Sequence, residues 1–330
     1  MSKKNELEFA NFILKFGQER NLLDFAEEIV IPAFLSDLER AYGETRHFFH
    51  SVEILNLGNE ESPILCIAGR YIKTTVLKTE QVFDEVNDEL IKNDGSLRTS
   101  PSAVFILILN NHRLIYLSET AYAPNLIAFQ TTVKKFIREK YQDFINQLSL
   151  LGEIPKGQLY REYDPTLEIV SLTNEESMRE FIDQYDLLKK VEIKLLTPNS
   201  DIDNNEFLRE ARKFKDEAVS NITTITHHNG KDGLSKGGVT RQIESALSQG
   251  NSKVSLRGTD RQGNKLEGSN ENFKVKSQLA NLPKTVSGIA NGGYEIFQSL
   301  LTQGTIRIGE SQENISETIK QLWNKIRSNL

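Results

Sequence analysis
Near its start the chain spaces apolar residues three and four apart in "NFILKFGQERNLLDFAEEIVIPAFLSDL", a pattern that predicts one or two amphipathic helices interrupted at Pro32. "FFHSVEILNL" and "SPILCIAGRYIKTTVL" are rich in β-branched and apolar residues and read as strands. "TEQVFDEVNDELIKN" has helical spacing and stops at the turn signal "NDG". The clearest hairpin follows in "SAVFILILNNHRLIYLSETA", where Asn110 and Asn111 supply residues that tolerate positive φ. "NLIAFQTTVKKFIREKYQDFINQL" then predicts a long helix, and the Gly and Pro of "LGEIPKG" close a first α+β domain near Leu151.

The second half opens with a strand, "LEIVSLT", an acidic helix, "NEESMREFIDQYDLL", and a strand, "KKVEIKLLTPNSD", a βαβ-like order. A charged helix, "NNEFLREARKFKDEA", precedes "HHNGKDGLSKGGVTRQIESALSQGNS", whose Gly, Ser and Lys content predicts mostly loop. Residues 253–267, "KVSLRGTDRQGNKLE", read as two short strands turning at Gly263 and Asn264. The last segment predicts a terminal helix capped at Ser311. The expectation is an α+β protein of two domains. Residues 1–151 form an N-terminal domain with a mixed sheet, and residues 152–330 a smaller α+β domain with a basic loop and hairpin region at 227–284.

The 330-residue length suits that division. A hydrophobic share of 38% and a charged share of 26% fit a soluble globular protein. The longest apolar run, Ala103 to Leu109, is far shorter than a membrane span, and Glu6, Glu8 and Lys15 interrupt the start too early for a secretory leader. The single cysteine, Cys66, excludes an internal disulfide, fits a reducing cytoplasm and sits in an apolar strand as an inert thiol. Charge is segregated under the net −6: from Ala211 to Leu330 there are 17 Lys and Arg against 11 Asp and Glu. Such a split points toward a polyanionic partner.

The basic residues that would meet phosphates are Lys231, Lys236, Arg241, Lys253, Arg257, Arg261, Lys265, Lys274 and Lys276. Few aromatic residues lie among them, which favours duplex backbone over stacked single strands. A charged edge hairpin that merely resists aggregation would look similar. His227 and His228 lack the spaced ligand set zinc needs, so they read as polar loop residues near a phosphate. His47 and His50 read as partly buried structural histidines on one helix face. "SKGGVT" lacks the order of a nucleotide-binding P-loop. Glu192 and Lys194, with Asp164 or Asp186, form the one arrangement that suggests a magnesium-dependent nuclease, although any half-exposed strand shows the same alternation.

"SPSAVFILILNNHRLIYLSETAYAPNLIAFQTTVKKF", "EFLREARKFKDEAVSNIT" and "VSLRGTDRQGNKLEGSNENFKVKSQLANLP" together resemble, in the same order, the RexA-like phage-exclusion proteins. The resemblance implies a cytoplasmic, dumbbell-shaped, two-domain homodimer. It would bind DNA with little sequence preference and act in antiviral defence with a membrane protein as effector partner. No catalysis and no cofactor are expected. The alternatives are the nuclease and a protein–protein sensor that recognises a phage protein through the acidic half.

Overall fold
The computed structural model describes residues 5–150, 152, 155–199, 206–218, 220, 222–309 and 315–328. The expected cap Ser311 and the expected boundary residue Leu151 lie outside the described residues. The fold is α+β, with one large curled sheet, a smaller four-stranded sheet and helices packed on both.

In chain order the first half contains β1 (Glu6–Phe16), β2 (Arg20–Asn21), α1 (Ile31–Leu35), β3 (Glu39–Tyr42), β4 (Thr45–Asn56) and β5 (Leu65–Lys78). β6 (Gln81–Asp84), β7 (Glu89–Lys92), β8 (Ser96–Thr99), β9 (Ser102–Ile108), β10 (Arg113–Ser118) and α2 (Leu126–Leu150) follow. The second half contains α3 (Lys156–Glu162), β11 (Pro165–Ser171), α4 (Glu175–Asp183), β12 (Tyr185–Leu195), α5 (Glu206–Glu217) and β13 (Thr223–His228). It continues with α6 (Lys236–Leu247), β14 (Ser252–Asp260), β15 (Lys265–Ser269), β16 (Lys276–Gln278), α7 (Val286–Thr302) and α8 (Ile315–Ser328).

The large sheet runs β11-β1-β10-β9-β5-β4-β3, with β2 and β16 also on β1 and β8 on β5. Its centre is sandwiched. Ala10, Phe12, Leu14, Phe105, Leu107 and Tyr116 face a core that α2 completes with Phe129, Val133, Phe136 and Tyr141. Leu7, Phe9, Val104, Ile106, Ile115 and Leu117 face α7, which contributes Val286, Ile289, Ala290 and Phe297.

This two-sided burial corrects the first part of the expected helical stretch, whereas residues 22–35 are helical as expected, in a 3-10 turn, a π turn and α1. All eleven residues of β1 are buried, and a strand covered on both faces loses the alternation that would have marked it. Pro32 does not break this run: the π turn at Ala26–Val30 continues directly into α1, which carries Pro32 in its first turn and ends at Leu35. The expected helix at 79–93 is also corrected, to the β6–β7 hairpin. There the Asp84 carboxylate accepts from the amides of Val86 at 2.9 Å and Asn87 at 3.3 Å, a turn that outcompetes the helix. In the β9–β10 hairpin it is His112, not Asn110 or Asn111, that takes positive φ, at 54°. Asn110 and Asn111 instead accept hydrogen bonds from the amides of Leu65 and Arg113.

The division at Leu151 does not separate the sheets. β11 pairs with β1 over seven residues and β16 pairs with its start. α7 and α8 also return to the large sheet, with Ile319 and Leu322 of α8 in the α2 core. The smaller unit, from α4 to Phe273, is therefore an insertion between two strands of the first, and the βαβ-like order is split between two sheets.

Within the smaller unit the order is β13-β12-β14-β15, all antiparallel. α4, α5 and α6 bury Met178, Ile182, Leu208, Val239 and Ile243 against Val191, Ile193, Val254 and Leu256 of one face. Residues 236–247, expected as loop, form α6, capped by the Ser235 hydroxyl accepting from the Gly238 amide. The two units meet across a polar seam. Asn11 Nδ2 donates to Asn251 Oδ1 at 2.8 Å, Arg113 donates to Asn11 Oδ1, and Lys15 Nζ donates to the Asn199 carbonyl at 2.7 Å.

Candidate nucleic-acid interface
Strand alternation sends every second residue of the small sheet away from its helices. The cross-strand register then fixes three rows on that open face. Thr224, Lys194 and Lys253 form one, Thr226, Glu192, Ser255 and Ser269 the next, and His228, Lys190, Arg257 and Glu267 the third. Thr259 and Lys265 follow at the hairpin end. Beyond them the chain turns through Asp260–Asn264, where Gly263 has φ +80° and the Asp260 carboxylate accepts from the amides of Gln262 at 2.9 Å and Asn264 at 2.8 Å. Arg261 projects from this turn, is exposed and makes no ion pair among the described residues. The face is a platform of cations, hydroxyls and a few carboxylates with no Phe, Tyr or Trp among these positions.

Local pairing tempers its charge. Lys190 Nζ lies 2.7 Å from Glu192, and this ammonium, with the Ser255 hydroxyl, holds the Glu192 carboxyl below its usual range. Lys265 does the same for Glu267 at 2.9 Å, with Arg257 3.6 Å away. At the other end Lys253 Nζ sits 2.6 Å from Glu168 of β11, with Lys194 at 3.9 Å. Such part-exposed pairs are worth ~0–1 kcal/mol, so a phosphate can displace a carboxylate from them.

The nine expected contact residues do not form one patch. Lys253, Arg257 and Lys265 share the open face, with Arg261 at its tip. Lys231 is in the exposed loop before α6, and Lys236 donates to the Asp183 carbonyl on the helix side. Arg241 lines a cavity of about 550 Å³ between α6 and the covered face of β13. Lys276 belongs to β16 of the large sheet and Lys274 to an isolated bridge with Thr173 just before it; Glu6 and Glu8 of β1 hold them, each at 2.7 Å. The Lys274 side chain is only 15% exposed and also lies 3.1 Å from Glu271. Missed from the expectation are Lys190 and Lys194. The alternation in "KKVEIKL" places them with Glu192 on one face, and that alternation was read as a metal motif or an ordinary half-exposed strand and not as part of the basic face.

Glu192 is committed to Lys190 and Ser255, and Asp164 to Arg138 at 3.3 Å. Among the described residues no three His, Cys, Asp or Glu side chains converge where they could hold a metal ion. His227 and His228 lie on a strand and not in a loop, and point to opposite faces. His47 and His50 are on β4 and not on a helix; His47 is buried with Nδ1 2.8 Å from the Tyr71 hydroxyl, while His50 is exposed. Burial pushes the Cys66 thiol up to about 12, which keeps it protonated and unreactive.

No helix among the described residues is long and apolar enough to cross a membrane. No curated protein matches the chain. A family described as a domain of unknown function (DUF4747) matches residues 33–292, from α1 into α7 and across the whole four-stranded unit, and the chain belongs to that family.

Proposed function
We propose that the open face of the four-stranded sheet binds the phosphate backbone of duplex DNA with weak sequence preference. The observation that carries this reading is the register that sets Lys190 beside Arg257 on adjacent strands, with Glu267 next in that row and Lys265 opposite Thr259 one row further on, flanked by hydroxyls and ending at Arg261. Cations and hydroxyls at strand spacing meet phosphate oxygens along a backbone, whereas single-strand binding would call for stacking rings. Among the described residues the helices of this unit pack on the opposite face of the sheet, which supports positioning without base readout. The resemblance to phage-exclusion proteins supplies the setting: a cytoplasmic, non-catalytic, homodimeric defence protein that passes a nucleic-acid signal to a membrane effector.

Replacing Arg257 and Arg261 together with Ala should weaken duplex binding about tenfold or more at low salt, since each arginine offers several donors to phosphate. Replacing the charge-matched pair Lys135 and Arg138 on α2 should change it by less than about twofold. Wild-type affinity should fall with salt at a log–log slope of about −0.9 per phosphate neutralised. Anisotropy titrations decide the matter: equal losses from the two pairs, or affinity flat with salt, would reject the platform.

A further inference from the structure
Where the two units meet, the end of β1, α2, β11 and the segments after β12 and α5 enclose a cavity of about 250 Å³. Its wall holds three lysines from distant parts of the chain: Lys15, Lys134 and Lys215. Lys215 has a side chain only 2% exposed, and its ammonium donates to the Thr197 hydroxyl. Its carboxylate neighbour is Asp216, 3.5 Å away and 66% exposed, so water screens that pair. Burying an ammonium costs several kcal/mol unless a full counter-charge accompanies it. Glu168 also borders the space, but Lys253 and Lys194 already hold it. Among the described lining residues Lys134 and Lys215 face only the exposed Asp216 as an acid not already held by other lysines, and the hydroxyls of Thr166 and Thr197 add hydrogen-bonding groups.

We infer that this cavity binds a small phosphate-bearing anion, with Lys215 and Lys134 as its cationic contacts and Thr197 as a hydroxyl donor. Converging ammonium groups with hydroxyls are the chemistry of phosphate capture by point charges. The volume is below the ~300–1,000 Å³ usual for drug-sized ligands, which suits a phosphate group and not a dinucleotide. The site lies beside the Lys194 and Lys253 row, so either a free monophosphate or the phosphorylated end of a strand can supply the group.

The test is thermal unfolding and calorimetric titration of the full chain with inorganic phosphate, against chloride of equal ionic strength. Phosphate should raise the melting temperature progressively, as expected of a ligand that binds only the folded state. Lys134→Ala, a change at the exposed rim, should weaken phosphate binding about fivefold or more with the melting temperature in chloride unchanged. Lys215→Met should abolish the response, and if that variant does not fold, the rim variant decides. The Arg257 and Arg261 double variant should keep the full phosphate response, so a failure of the duplex reading leaves this site standing. A short oligonucleotide with a 5′-phosphate that binds more tightly than its 5′-hydroxyl twin, in competition with phosphate, identifies a strand end; equal binding of the two with phosphate retained identifies a free anion. No phosphate-specific shift at about 10 mM, or an equal shift in wild type and Lys134→Ala, would overturn the assignment.

Discussion
Acidifying the protein from about pH 7 to about pH 5 should cost about 4 kcal/mol of folding stability, about 2 from each of His47 and His112. His47 is lowered from 6.5 to about 4, first by burial and then by the charges of Arg40 and Lys73. His112 is lowered to about 3, again first by burial, then by Arg113 and Lys15. Both stay neutral in the fold while the unfolded chain takes up protons below its ordinary histidine pKa, so the contribution is complete above about pH 6.5 and declines as pH falls toward the folded values. A domain's whole stability is ~5–15 kcal/mol, so the loss should be plain in urea midpoints measured across this range. His112→Asn should flatten about half of the slope, because Asn tolerates the left-handed backbone at this position. Stability that holds constant or rises on acidification would contradict the assignment of these two side chains.

The second large effect concerns the seam. Asn11→Leu should destabilise the fold by about 3–5 kcal/mol, since a buried hydrogen bond to a charged group is worth ~1.5–3 kcal/mol and abandoned partners add their own desolvation. Asn11 is fully buried; it accepts from Arg113 while donating to Asn251 and to the Gly250 carbonyl at 3.3 Å. Leucine has similar volume, so packing is nearly conserved and the polar loss dominates. Asn11→Asp keeps an acceptor for Arg113 and should lose less. A urea midpoint for Asn11→Leu within about 1 kcal/mol of wild type would show that the two units do not depend on this contact.

The elements legible in the sequence were those with a single clear period or turn signal. The β9–β10 hairpin, the long helix α2 and the β14–β15 ribbon are where the pattern placed them. β1 was misread because burial on both faces erased its alternation, and β6–β7 because Asp84 closes a turn inside a helical spacing. α7 went unseen because Gly288, Gly292 and Gly293 weaken any helical signal; yet at Gly293 a Cβ would come 3.1 Å from Ile106, so the glycine lets the helix approach the sheet. The basic ribbon was legible as a run of charges, but its pairings were not. Lys253 meets Glu168 across 85 positions and Lys276 meets Glu6 across 270, and no local pattern reports contacts of that span. Thus the hold of β1 on Lys274 and Lys276 could not be read from their neighbours in sequence, and the Lys215 cavity left no trace at all.

The place of β1 has a kinetic consequence. Glu6 takes Gln278 as its register partner, and the same strand pairs with residues 113–117 and 165–171. At a synthesis rate of ~5–20 residues per second, on the order of ten seconds to a minute separates the appearance of β1 from that of β16. Through that interval an apolar strand emerges from the ribosome without its full set of neighbours. Refolding should be slow, as it is for chains dominated by distant contacts, and nascent protein should depend on holding chaperones until its last strand arrives.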